Sequence, residues 1–163
     1  MVGRCKQAEG VMSAARKTVN VTTIGFTQTS AGHFFDRLKM AGVRQVMDVR
    51  LHNTSQLAGF AKADDLAFFL REICGAGYRH EPLLAPTEAL MTMYKKEMGD
   101  WQAFSRQFLQ LMAARQVEQK LKPTMFDGSC LLCSEPKPHH CHRQLVCDYL
   151  NGRWGGALKV THL

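Results

Sequence analysis

The chain has 163 residues and a mass of 18.3 kDa, the size of one domain with a short tail. Its 45% hydrophobic and 21% charged residues exclude a disordered chain, a collagen and a membrane bundle, and no uncharged stretch approaches the ~20 apolar residues of a bilayer span. The 21 Lys and Arg against 14 Asp and Glu leave +7, so anionic partners, nucleic acid among them, are candidates. Arg4, Lys6, Arg16 and Lys17 against Glu9 put +3 of this in the first 20 residues.

The six cysteines (5, 74, 130, 133, 141 and 147) do not read as a disulfide scaffold, because such scaffolds are short, loop-rich and exported. The opening segment MVGRCKQAEGVMSAARK is basic but lacks the apolar stretch of a secretion signal. The expectation is a cytoplasmic protein with reduced thiols, and residues 1–18 are expected to form a flexible basic tail.

From residue 19 onward apolar strands and amphipathic helices alternate without repeat or linker, so 19–163 reads as one domain. VNVTTIGF (19–26) is a β-branched run broken by Gly25, and Thr27, Thr29 and Ser30 supply a turn and a helix cap. The next helix turns Phe34, Phe35, Leu38 and Val43 inward and ends near Gly42. RQVMDVRL (44–51) is the second strand and 52–63 a polar loop. A helix from about Asp64 places Leu66, Phe69, Leu70 and Ile73 on one face before Gly75 and Gly77 stop it.

YRHEPLL (78–84) predicts a third, weaker strand, and Thr87 caps a helix over 87–98. Asp100 caps a stronger helix whose Trp101, Phe104, Phe108, Leu111 and Met112 recur at three- and four-residue spacing, the pattern of a buried face rather than a cofactor box. Pro123 ends its polar tail. SCLLCSE (129–135) has the nearly continuous apolar character of a buried parallel strand. A helix from about Cys141 to Leu150, a Gly-rich turn and the strand ALKVTHL complete the chain. Strands separated by helices predict an α/β three-layer sandwich, Rossmann-like, around a mostly parallel sheet of about five strands. Function is then expected at the carboxyl ends of the strands.

The reactive residues gather there. LLCSEPKPHHCHR (131–143) brings Cys133, Glu135, His139, His140, Cys141, His142 and Arg143 between a strand end and a helix start. A helix start lowers a thiol's pKa and holds an anion, which makes Cys141 a candidate thiolate, with Arg143 as an anion ligand. The alternative for Cys141 is a small core residue, four positions before Leu145. A metal reading competes: Cys133, Cys141 and His142, with Glu135 or a neighbouring His, are donors suited to a divalent metal such as zinc or iron. Cys130-x-x-Cys133 is not a zinc knuckle, since on a strand the two thiols point to opposite faces. A Cys133–Cys141 disulfide would matter only to a redox function.

MDVR (47–50) places Asp48 and Arg50 on one strand face near its carboxyl end, so that Arg50 holds an anion while Asp48 orients it or acts as a base; a buried ion pair is the plainer alternative. Thr27, Asn53, Ser55, Lys62 and Tyr78 add polar groups near the same sheet edge. The Cys-to-Arg spacings of ten and two residues exclude cysteine-phosphatase and rhodanese loops, and neither nucleotide-phosphate glycine motif is present.

TIGFT, DVR, the Ser55–Phe60 stretch with Lys62, Tyr78 with His80, LLCSE with CHR, and VTHL resemble, in order and spacing, the domain-of-unknown-function 488 family over residues 20–163. The resemblance implies a compact α/β domain, usually cytoplasmic, mostly bacterial or archaeal, with no established activity. It marks Asp48, Arg50, Cys133, Glu135, Cys141, His142 and Arg143. LHNTSQLAGF and LLAPTEAL depart from the family pattern, in which a Pro often follows DVR and a Gly pair often follows the third strand, so the pocket wall differs. Together the residues point to a small enzyme, or a ligand-binding relative of one, that takes an anionic, nucleotide-like small molecule. In that reading Cys141 or Cys133 is the nucleophile and His142 and Asp48 handle protons. A nucleic-acid-binding module and a structural metal site are the other two classes.

Overall fold

Five strands, β1 (Val19–Gly25), β2 (Gln45–Asp48), β3 (Gly77–His80), β4 (Ser129–Cys133) and β5 (Leu158–His162), pair in parallel throughout, in the order β3-β2-β4-β1-β5. The computed structural model describes residues 17–54 and 58–163. Ser55 and residues 1–16 of the expected tail therefore fall outside the described residues. No helix among those described is long and apolar enough to cross a membrane.

Sequence character follows sheet position. β4 is central and buried at every residue, as its continuous apolar run requires, whereas the edge strands β3 and β5 are largely open. Within β4 the two-residue period sends Cys130 and Leu132 to one face and Leu131 and Cys133 to the other.

The first face is covered by α1 (Ala31–Met40) through Phe34, Phe35 and Leu38, and by α2 (Ala63–Phe69) through Leu66. The second is covered by α3 (Glu88–Lys96), α4 (Trp101–Arg115), α5 (Val117–Lys120) and α6 (His142–Arg153), whose Leu90, Phe104, Phe108, Met112, Val117, Val146 and Leu150 share one core. The result is the three-layer α/β sandwich expected. Caps expected at Ser30, Thr87 and Asp100 form: each side-chain oxygen accepts the amide three residues on, from His33, Leu90 and Ala103.

Three element expectations are corrected. YRHEPLL is a strand only through His80, because Pro82 opens a 3-10 turn over Pro82–Leu84. Ile73 does not join the inward face: α2 continues as a π-helical turn over Leu70–Cys74, whose wider winding shifts the face and leaves Ile73 41% exposed. The helix after Asp100 stops at Arg115, where Gln116 turns left-handed (φ 53°) and separates it from α5.

The topology selects one position for a site. From β2 the chain passes over the first face to β3, on one side; from the adjacent β4 it passes over the second face through α6 to β5, on the other. Chains that leave neighbouring parallel strands in opposite directions open a crevice at their carboxyl ends. The ends of β2 and β4 carry Asp48 and Cys133.

Candidate functional site

Cys133 closes β4, and eight residues later the chain re-enters helical structure with Cys141 at the cap position of α6 and His142 and Arg143 in its first turn. This return path is tightly seated. The loop after β4 crosses β1, where Thr27 donates from both its backbone amide (3.2 Å) and its hydroxyl (2.6 Å) to the Ser134 carbonyl. Gly25 has no side chain because any Cβ there would overlap the Glu135 carbonyl oxygen.

The thiol of Cys133 lies 3.5 Å from Nδ1 of His142. His142 Nε2 lies 2.7 Å from the Val49 carbonyl oxygen, which can only accept, so Nε2 carries a proton and Nδ1 is left to exchange one with Cys133. A hydrogen bond from the Cys141 thiol is the main cause holding the Cys133 thiol well below the usual thiol range; burial opposes it, and the His142 ring and the Glu135 amide add to it. Cys141, the donor, is correspondingly pushed up by that bond, by burial and by the neighbouring thiolate. Burial disfavours the charged His142 ring, but the adjacent Cys133 thiolate outweighs burial and raises its pKa. The thiol that meets the His142 ring is thus Cys133, with Cys141 beside it at the start of α6.

Asp48 and Arg50 form a buried, two-pronged ion pair, 0% and 3% exposed. Arg50 Nε and Nη2 donate to the two carboxylate oxygens at 2.8 and 2.6 Å, and the Arg50 amide and the Tyr78 hydroxyl donate to the same carboxylate at 3.1 and 2.7 Å. Nη2 also donates to the Ala61 carbonyl (2.8 Å), and the guanidinium lies 4.9 Å over the Phe26 ring. Its Nη1 has no partner among the described residues. The four bonds that the Asp48 carboxylate accepts fix the orientation of the Arg50 guanidinium.

Arg50, Cys133, Cys141 and His142 line one cavity of about 360 Å³. Its remaining wall comes from the loop after β2 (Leu51, His52), from Pro86 and α3 (Glu88, Met91, Tyr94, Lys95), from the start of α4 (Trp101, Phe104), and from Ser134, Glu135 and His140. A family model described as "Domain of unknown function" (DUF488) matches residues 30–150. The chain belongs to that family. No curated protein and no solved structure matches it.

The DUF488 fold brings some of the sequence-selected residues together and holds others apart. Arg143 is fully buried and braces the loop instead of facing the cavity, its Nη1 donating to the Glu135 carbonyl (2.5 Å) and to Cys141 Sγ (3.7 Å). Thr27 is spent on the Ser134 carbonyl, Tyr78 on Asp48, and Lys62 occupies the N-cap position of α2 outside the cavity wall. Cys133, Cys141 and His142 alone of the candidate metal donors converge, their ligand atoms within 4.8 Å of one another, without Glu135. All five described cysteines are free thiols. The contribution of α3 and α4 was missed, since Trp101 and Phe104 read as core by period; Phe104 is core and lines the cavity as well.

Proposed function

We propose that this DUF488 domain is a cytoplasmic, thiolate-dependent enzyme, or a ligand-binding relative of one, acting on an anionic small molecule held at the switch point between β2 and β4. The observation that carries the reading is the Cys133–His142–Val49 chain: a thiol, a base within reach of it, and a third group that fixes the base's tautomer. Cys133 is the nucleophile, His142 takes and returns its proton, and Arg50, aimed by Asp48 and offering an uncommitted Nη1, binds the anion.

The test is the rate at which iodoacetamide alkylates Cys133, followed by mass spectrometry across pH. Because its pKa is depressed, Cys133 is expected to be alkylated at a nearly constant rate from alkaline pH down through neutrality, losing rate only at lower pH. His142→Asn is expected to move the inflection upward. An inflection at the ordinary thiol position of about 8.5 in the unsubstituted protein removes the basis for the reading.

A second reading has its own observation. With metal–sulfur and metal–nitrogen bonds of about 2.3 and 2.05 Å, tetrahedral geometry separates sulfur and nitrogen by about 3.6 Å, against 3.5 Å for Cys133 Sγ and His142 Nδ1. The carbonyl on His142 Nε2 is the kind of outer partner that metal-bound imidazoles keep. Cys133, Cys141 and His142 would then hold a zinc or iron ion, which would supply a Lewis acid beside the cavity. Elemental analysis of protein purified without a metal-affinity tag separates the readings: about one metal per chain, lost in Cys141→Ser, supports the metal, and a metal-free protein with an alkylatable Cys133 supports the thiolate.

A further inference from the structure

We propose that the molecule bound in this cavity carries a planar aromatic ring beside its anionic group, with the ring against α3 and α4 and the anion between Arg50 and the start of α6. The inference rests on the anion reading above and adds the class of molecule.

The cavity is lined by two chemically different sets of residues. One is Arg50, with its buried unpartnered Nη1, and the start of α6. α6 is 12 residues long, has no acidic residue in its first turn, and receives no capping bond from its N-cap side chain, Cys141. A helix start left open beside a buried guanidinium with a spare donor is a receptor for an oxyanion. The other set is Pro86, Met91, Tyr94, Trp101 and Phe104, which form an apolar, mostly aromatic wall that adjoins the loop into α6 through the Trp101–His140 stack (5.1 Å).

Size and shape decide what covers the aromatic wall. About 360 Å³ lies in the roughly 300–1,000 Å³ range of small-molecule pockets, far more than a lone inorganic oxyanion occupies. Such an anion would leave the aromatic wall facing water. The wall is also preorganised: Trp101 and Phe104 stack at 5.3 Å and 20°, and Tyr94 leans on Phe104 at 5.0 Å. Phe108 continues the stack at 5.9 Å and reaches the His142 ring at 5.6 Å. Rings locked by their neighbours lose little entropy on receiving another ring, whose edge and face suit the same offset geometry. Lys95 and the exposed His52–Glu88 pair (2.7 Å) form the polar rim. An anionic head with a flat apolar body is the chemistry of a nucleoside monophosphate or an aryl carboxylate.

Two matched pairs of probes test this by isothermal titration calorimetry: adenosine monophosphate against ribose 5-phosphate, and 4-hydroxybenzoate against cyclohexanecarboxylate. In at least one pair the aromatic member is expected to bind tenfold tighter or more, and which pair does so tells a phosphate head from a carboxylate head. Tyr94→Ala is expected to erase most of that advantage, Tyr94→Phe to keep it, and Arg50→Met to weaken both members of the pair. Equal affinities within both pairs, with binding still lost in Arg50→Met, overturn the ring and leave the anion reading standing. Binding that survives Arg50→Met unchanged, or no binding of any probe, overturns both.

Discussion

Replacing Asp48 by Ala strands a guanidinium inside the protein. Arg50 is 3% exposed and directs Nε and Nη2 at the Asp48 carboxylate, so the substitution deletes its charged partner among the described residues while Phe26 and the Ala61 carbonyl stay in place. Breaking a buried pair from one side costs about 3–5 kcal/mol, because an unpaired charge remains behind. For a domain of this size each kcal/mol moves Tm by about 2–4 °C, so a fall of roughly 6–20 °C is expected. Arg50→Met leaves Asp48 with the Tyr78 hydroxyl and the Arg50-position amide and is expected to cost less. The double variant, with neither charge, is expected to be more stable than Asp48→Ala alone, since an apolar replacement of a buried pair is often neutral. Urea unfolding of all four proteins gives the coupling energy directly. A loss below about 1 kcal/mol for Asp48→Ala, or costs that simply add in the double variant, would refute the claim that Asp48 exists to hold Arg50.

Three further outcomes follow from single contacts. Gly25→Ala is expected to push the 134–136 loop off β1, because the new Cβ meets the Glu135 carbonyl; a Tm fall with slower Cys133 alkylation checks it. Tyr78→Phe removes a 2.7 Å bond to a buried carboxylate and is expected to cost about 1.5–3 kcal/mol in urea unfolding, without changing the inflection of Cys133 alkylation. Cys130, buried on the opposite face of β4 and pushed up by that burial to about 12, is expected to remain unlabelled by iodoacetamide in native protein while Cys133 reacts.

What the sequence made legible was whatever depends on chain period and local chemistry. The two-residue period of β4 separates Cys130 from Cys133, and the same period puts Asp48 and Arg50 side by side. Caps at Ser30, Thr87 and Asp100 are readable because each needs only one oxygen three residues before an amide. Position relative to the rest of the fold was not legible. Arg143 looks like an anion ligand beside Cys141, but the first turn of α6 faces inward and buries it against the Glu135 carbonyl. Cys141 looks like the thiolate because it begins a helix, but the sequence does not show that His142 meets Cys133 through Nδ1 while its Nε2 reaches the Val49 carbonyl, 93 residues away in the chain. The aromatic wall was hidden for the opposite reason: a face that packs the core and lines a cavity carries one hydrophobic pattern for both.

The most direct measurement of the account is protection of Cys133 from alkylation by a bound anion. Inorganic phosphate, titrated at constant ionic strength against the iodoacetamide rate of Cys133, is expected to slow the reaction in a saturable way in the unsubstituted protein and to have little effect in Arg50→Met. Phosphate that leaves the rate unchanged in both proteins, or slows it equally in both, contradicts a shared cavity in which Arg50 holds the anion beside the thiolate.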